Sequence, residues 1–123
     1  MNQVVVKQEK SGYQIVEAYK SLRTNLQFCG EDKKVIAITS CTPNEGKSSV
    51  SMQLGISLAE IGKRVILIDA DLRKSVLLGR TKTEKSVRGL AHFLSGQASL
   101  EDVICATNIK NFYMIYSGPF LPN

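Results

Sequence analysis

The sequence predicts an α/β fold, a parallel sheet flanked by helices, and three observations carry that prediction. A short apolar run, Val35 to Ile38, gives way to a turn-rich segment and then to a helix opening at Gly46-Lys47-Ser48-Ser49. A second apolar run, Val65-Ile-Leu-Ile68, is followed by the acids Asp69 and Asp71. One amphipathic segment separates the two runs. Strand, helix and strand thus follow in the order of a right-handed crossover, which brings both strand ends to one edge of the sheet.

Met1 to Gly12 is polar apart from Val4 to Val6 and reads as a loose arm, which leaves residues 13–123 as the domain. From Ile15 to Phe28, apolar side chains at Ile15, Tyr19, Leu22 and Leu26 recur at helical spacing and define one buried stripe. Glu17, Lys20 and Arg23 lie three apart on another ridge, where Glu17 and Lys20 can pair. Gly30-Glu31-Asp32 ends this helix and leads into Val35 to Ile38, expected as a buried strand. The helix after Lys47 carries Val50, Leu54, Leu58 and Ile61 on one face; Gly62 is placed to stop it, and Ser51, Gly55 and Ala59 would let it lie close to a sheet. Val65 to Ile68 is continuously apolar, which suits the middle of a parallel sheet covered on both faces. Lys74 to Arg88 is basic and aperiodic, a loop with one helical turn at Val76 to Leu78. Val87 to Leu94 reads as a short helix stopped by Gly96, and Ser99 with Asp102 forms a capping box for another, Leu100 to Cys105. Asn108 to Asn111 is a turn, and Phe112 to Tyr116 a third strand.

The chemistry concentrates at the loop between the first strand and its helix. Thr42-Pro43-Asn44-Glu45-Gly46-Lys47-Ser48-Ser49 follows the pattern G-x-x-x-x-G-K-[ST], except that Cys41 occupies the first glycine position. A helix beginning there offers unpaired backbone N–H groups and the positive end of its dipole to an anionic polyphosphate. Gly46 allows close approach, Lys47 supplies an ammonium for the outer phosphates, and Ser48 a hydroxyl for Mg²⁺. Asp69 and Asp71, arriving at the same edge, could hold the metal and accept a proton from an attacking group. Asp also caps helices and begins turns, the plain structural reading of Asp69.

Composition narrows the remaining classes. The 123 residues are 43% hydrophobic, enough for one core. The net charge of +5 comes from scattered lysines and arginines with no basic block, which speaks against a nucleic-acid partner. Cys29, Cys41 and Cys105 show no metal spacing and are expected as reduced thiols. No signal-peptide pattern or bilayer-length apolar run is present, so the expected location is cytoplasmic. His92, the single histidine, is expected to pack rather than to catalyse.

Together, Thr39-Ser-Cys-Thr-Pro-Asn-Glu-Gly-Lys-Ser-Ser49 and Val65-Ile-Leu-Ile-Asp-Ala-Asp-Leu-Arg73 resemble the Walker A and A′ motifs of the bacterial protein-tyrosine kinases of capsule and exopolysaccharide synthesis. Glu17-Ala-Tyr-Lys-Ser-Leu-Arg23 is similar to the Glu-x-x-Arg-x-x-Arg assembly motif of that family, with Lys20 replacing the first arginine. Gly89-Leu-Ala-His-Phe-Leu-Ser-Gly96, Leu100-Glu-Asp-Val103 and Gly118-Pro119 resemble its core, so the similarity runs from Tyr13 to Asn123.

The resemblance implies a P-loop NTPase-like fold related to the ParA/MinD ATPases, with ATP and Mg²⁺ as cofactors. It implies autophosphorylation on tyrosine in trans within a ring of subunits, and activation by the cytoplasmic tail of a membrane polysaccharide co-polymerase. That tail would recruit the chain to the inner face of the plasma membrane, and a cognate tyrosine phosphatase would oppose it. By position, Thr42 to Ser49 would surround the nucleotide with Lys47 on its phosphates; Ser48, Asp69 and Asp71 would serve the metal and the incoming tyrosine hydroxyl. Which aspartate does which stays open. Glu17, Lys20 and Arg23 would bridge neighbouring subunits, although Lys20 loses the forked donor geometry of arginine.

The family pattern continues, beyond the segment matched by Asn123, with a helix, a Walker B strand ending in a metal-binding aspartate and a tyrosine-rich tail. Tyr13, Tyr19, Tyr113 and Tyr116 form no cluster. The expectation is the front half of a kinase domain, with an apolar sheet edge beside the phosphate loop. Two alternatives remain. A ParA/MinD-type switch ATPase would carry a lysine where Thr42 stands, and a non-catalytic nucleotide-binding or interaction module would need no tyrosine tail.

Overall fold

A computed structural model describes residues 1–6, 13–28, 35–37, 47–70, 81–83 and 88–118, with the backbone alone for residues 13–15, 47–49 and 81–83. In chain order the elements are β1 (Asn2–Val6), α1 (Tyr13–Phe28), α2 (Lys47–Glu60), β2 (Val65–Ile68), β3 (Thr81–Thr83), α3 (Leu90–Leu94), α4 (Leu100–Val103), β4 (Cys105–Thr107) and β5 (Phe112–Ile115). The strands form one sheet in the order β2-β5-β4-β1-β3. β2 with β5 and β4 with β1 pair parallel, whereas β4 with β5 and β1 with β3 pair antiparallel. The antiparallel β4–β5 pair follows from its short connection, which parallel strands could not share and which turns at Asn111 with φ 67°.

One face of the sheet packs on α2. Met52, Ile56 and Ala59 from the helix meet Val4, Val6, Cys105, Phe112 and Met114 from the strands and Tyr116 just past β5, with Val65 and Leu67 at the margin. The helix buries this face rather than the expected line of Val50, Leu54, Leu58 and Ile61; of those four only Leu54 is buried, and Ile61 lies beyond the last turn. The reason is Gly55, which opens the sheet-facing surface and admits the Phe112 ring between its neighbours. Gly62 ends the helix as expected: φ is +90°, its N–H donates to the Ala59 carbonyl at 3.1 Å, and the Lys63 N–H donates to that of Leu58 at 3.3 Å.

Three expectations change. Asn2–Val6 is no loose arm but an interior strand between β4 and β3, with Val4 and Val6 buried and Val5 exposed in strict alternation. Its register is locked by the Val6 N–H donating to Asn108 Oδ1 at 2.7 Å. Val35 to Ala37 carries no strand and Val35 is 90% exposed, so the described part of that run takes no place in the sheet; Ile38 lies outside the described residues. A strand exists only through ladder partners, and Val35 to Ala37 has none among the described residues; β2, the partner the crossover would suggest, pairs there with β5. Among the described residues β2 is an edge strand, not a central one, and its alternate side chains Ile66 and Ile68 are 48% and 50% exposed.

The shorter elements follow their local signals, with shifted ends. α3 starts at Leu90 rather than Val87 and stops at Gly96, where φ is +81°. The Ser99 N–H donates to Asp102 Oδ2 at 3.1 Å and the Asp102 N–H to Ser99 Oγ at 3.3 Å, closing the expected capping box. Hydrogen bonding from the Ser99 backbone N–H, and then from the Ser99 side chain, holds the Asp102 carboxyl below its ordinary range. The helix they cap ends at Val103, because Cys105 to Thr107 joins the sheet. The expected loop from Lys74 to Arg88 includes β3, and Val76 to Leu78 lies outside the described residues. His92 packs as expected, its Nδ1 accepting the Gly89 N–H at 2.9 Å at the start of α3.

Candidate active site

The level at which α2 crosses the sheet decides where its first residue lies. A Cβ placed on Gly55 would stand 2.7 Å from Phe112 Cε1 and 3.5 Å from Val65 Cγ1, so mid-helix sits directly on the beginning of β2 and β5. The turn at Ile61 to Arg64 then reverses the chain, and helix and strand run in opposite directions. From Gly55 back to Lys47 the helix rises about 12 Å, and from Val65 forward to Asp69 the strand rises about 13 Å. Lys47 and Asp69 therefore arrive at the same carboxyl edge.

Asp69 is half-buried, and its N–H donates to the Ile115 carbonyl at 3.0 Å, carrying the β2–β5 ladder one residue past the strand. That bond fixes the backbone from which its carboxylate projects. Lys47, Ser48 and Ser49 form the opening turn of α2, whose first N–H groups have no partner within the helix and carry the positive dipole end. The structure thus brings together the backbone positions of Lys47 and Ser48 with Asp69. Thr42, Pro43, Asn44, Glu45, Gly46 and Asp71 lie outside the described residues. Among the described residues, no group of three or more His, Cys, Asp or Glu side chains clusters as a metal site.

The assembly ridge on α1 divides in two. Lys20 Nζ lies 3.6 Å from Glu17 Oε1, and both side chains are about half-exposed, the local pairing expected. Arg23 turns the other way. Its Nη1 donates to the Ser57 carbonyl at 3.0 Å and to Ser57 Oγ at 3.3 Å, and lies 3.9 Å from Glu60 Oε2. Sequence reasoning missed this contact, although one signal pointed to it: α2 has no basic residue in its last turn, so its terminal carbonyls need a cation from elsewhere.

Residues 33–122 match the family model of the AAA domain. The chain belongs to the AAA domain family. It is 45% identical over 107 residues to the tyrosine-protein kinase CpsD of Streptococcus agalactiae, a match covering 87% of this chain and 47% of that protein. It is 40% identical over 109 residues to the tyrosine-protein kinase YwqD of Bacillus subtilis, covering 87% of this chain and 46% of that one. Among solved structures, the kinase domain of Escherichia coli tyrosine kinase ETK superposes with a TM-score of 0.80 at 34% identity, covering 88% of this chain and 43% of that one. The chimerical protein CapA2B2 superposes with a TM-score of 0.78 at 26% identity over 100% of this chain and 57% of its own. The P-loop NTPase-like α/β class expected from the sequence is the fold observed. The chain spans about half the length of the curated relatives it matches.

Proposed function

We propose that this AAA-domain chain is the nucleotide-binding part of an ATP-dependent protein-tyrosine kinase that regulates capsular polysaccharide or exopolysaccharide synthesis and export. The observation that carries the reading is the arrival of Lys47, at the head of α2, and Asp69, at the end of β2, on one sheet edge. The donor set fits a metal-bound triphosphate. The α2 N–H groups and the Lys47 ammonium suit phosphate oxygens, and the Ser48 hydroxyl with the Asp69 and Asp71 carboxylates offers the hard oxygen ligands that Mg²⁺ takes.

When bound, Mg²⁺·ATP supplies a transferable γ-phosphoryl group. Lys47 offsets charge on the outer phosphate oxygens, while the helix end orients them by fixed donors that need no rearrangement. One of Asp69 and Asp71 orients the metal and the other accepts the proton leaving the tyrosine hydroxyl. The tyrosine comes from a neighbouring copy in a ring. The cytoplasmic tail of a polysaccharide co-polymerase activates that ring at the inner membrane face, and a phosphatase resets it.

A second reading draws on the exposed Ile66 and Ile68 of β2, an edge strand among the described residues: a non-catalytic module that holds nucleotide and pairs with another polypeptide. The purified chain incubated with labelled ATP and Mg²⁺, alone and with a co-polymerase tail peptide, separates the readings. Phosphotyrosine supports the kinase, free phosphate a switch ATPase, and bound but unchanged ATP the module. Loss of nucleotide binding in Lys47→Met is expected in every case, and unchanged affinity in that variant would count against the site.

A further inference from the structure

Among the described residues, the β2–β5 ladder ends at Asp69, whose N–H donates to the Ile115 carbonyl at 3.0 Å. Rungs of a parallel ladder recur at every second residue, so the next acceptor along β5 is the Ser117 carbonyl. The start of α3 takes it. The Ala91 N–H donates to the Ser117 carbonyl at 2.9 Å and the Leu90 N–H to that of Tyr116 at 2.7 Å, two first-turn amides that have no partner within the helix. Gly89 permits the approach: a Cβ there would stand 2.6 Å from the Tyr116 oxygen and clash with the Gly118 backbone. Gly89 is itself held by His92, whose Nδ1 accepts the Gly89 N–H at 2.9 Å, as Glu or Gln does from the same helical position in a capping box. Ala91, Tyr116 and Ser117 are all buried, so water does not compete for these bonds.

From this we infer that Gly89 and His92 are positioning residues for Asp69. Together they seat α3 on the chain leaving β5 and close the end of the ladder that carries this acid. The last rung of an open ladder is where pairing frays first. Here the strand exit is gripped by the Leu90 and Ala91 amides, while its Ile115 carbonyl, one residue back, holds the Asp69 backbone. The path from His92 to Asp69 therefore runs through Gly89, the first turn of α3 and residues 115–118, with a hydrogen bond or a backbone contact at each step. The exchange measurement below stands apart from the kinase reading, whereas the nucleotide measurement rests on it.

Amide exchange of the full chain, resolved by nuclear magnetic resonance, is followed beside the gain in ATP affinity on adding Mg²⁺. The parent is compared with Gly89→Ala, His92→Ala, His92→Gln and Leu94→Ala. His92→Ala removes one neutral hydrogen bond and should speed exchange of the Leu90, Ala91 and Asp69 amides together by about fivefold. His92→Gln, whose side-chain oxygen can accept from Gly89, should restore the parent rates, and Leu94→Ala, at the exposed far end of α3, should change nothing. Gly89→Ala must part α3 from the strand exit by roughly 0.7 Å, the shortfall from an ordinary C···O contact of about 3.3 Å, and should cut the Mg²⁺ gain about tenfold. Asp69 exchange unmoved by His92→Ala while Leu90 and Ala91 speed up overturns the inference, as does Gly89→Ala with the full Mg²⁺ gain. Should an alanine variant not fold, the parent in rising denaturant decides: an Asp69 amide that opens apart from Leu90 and Ala91 overturns the inference, and a shared opening upholds it. A parent with no Mg²⁺ gain sinks the kinase reading alone, and exchange still decides the role of His92.

Discussion

Replacing Gly55 by alanine tests the packing that brings Lys47 level with Asp69. In an exposed helix the change would stabilise by about 1 kcal/mol, because alanine gives up less conformational freedom on folding. Here the new methyl would lie 2.7 Å from Phe112 Cε1, roughly 1 Å inside the separation at which carbon atoms attract. Phe112 is buried in the core that α2 covers, so either its ring leaves its rotamer or the helix lifts. Overpacking of this kind costs about 1–3 kcal/mol, and set against the propensity gain it leaves a net loss of about 1 kcal/mol. Urea unfolding followed by far-ultraviolet circular dichroism measures it. Adding Phe112→Leu should make the Gly55→Ala step less costly, with a coupling above about 0.5 kcal/mol because the two sites touch. Gly55→Ala raising stability by about 1 kcal/mol, uncoupled from Phe112, would refute the placement of α2 on the sheet.

Other outcomes follow from single buried or capped groups. Ser117 is 1% exposed and its hydroxyl has no hydrogen-bond partner among the described residues, so Ser117→Ala should be neutral or stabilise by about 1 kcal/mol; a clear loss in the same unfolding assay would reveal a partner. Burial pushes the Cys105 thiol up to about 11, which leaves roughly one molecule in a thousand as thiolate at pH 8. Peptide-resolved alkylation should therefore modify Cys105 only after denaturation, and rapid labelling of the folded chain would contradict its burial. The Asp102 carboxyl titrates below its unfolded value, so its share of stability is present above the ordinary carboxylate range and is lost as pH falls through the folded value. Ser99→Ala keeps the backbone N–H and removes the hydroxyl, so it should move the Asp102 midpoint, read by nuclear magnetic resonance, part of the way back up toward that range; an unmoved midpoint would disprove the share of the hydroxyl.

Local punctuation was the most legible part of this sequence. Gly62 and Gly96 stop their helices where the pattern placed them, and Ser99 with Asp102 caps α4, because each acts within one turn of chain. What failed depended on neighbours distant in sequence. Val65 to Ile68 reads as a central strand because it is apolar throughout, but centrality is decided by who pairs on either side, and among the described residues only β5 does. Val4 to Val6 reads from the sequence as part of a loose arm. Its three β-branched residues were nonetheless a strand signal, realised because Asn108 and the β4 backbone lie alongside. At the site, the order of strand, helix and acid placed Lys47 and Asp69 together, whereas the inward turn of Arg23 needed knowledge of which helix end would face it.

The convergence of Lys47 and Asp69 on one metal-bound triphosphate is tested most directly by titrating ATP into the chain calorimetrically, with and without Mg²⁺. The parent should bind ATP more tightly when Mg²⁺ is present, and Asp69→Asn should lose most of that metal-dependent gain while retaining the metal-free affinity that Lys47 supplies. An Asp69→Asn variant with the full Mg²⁺ gain would contradict the shared site.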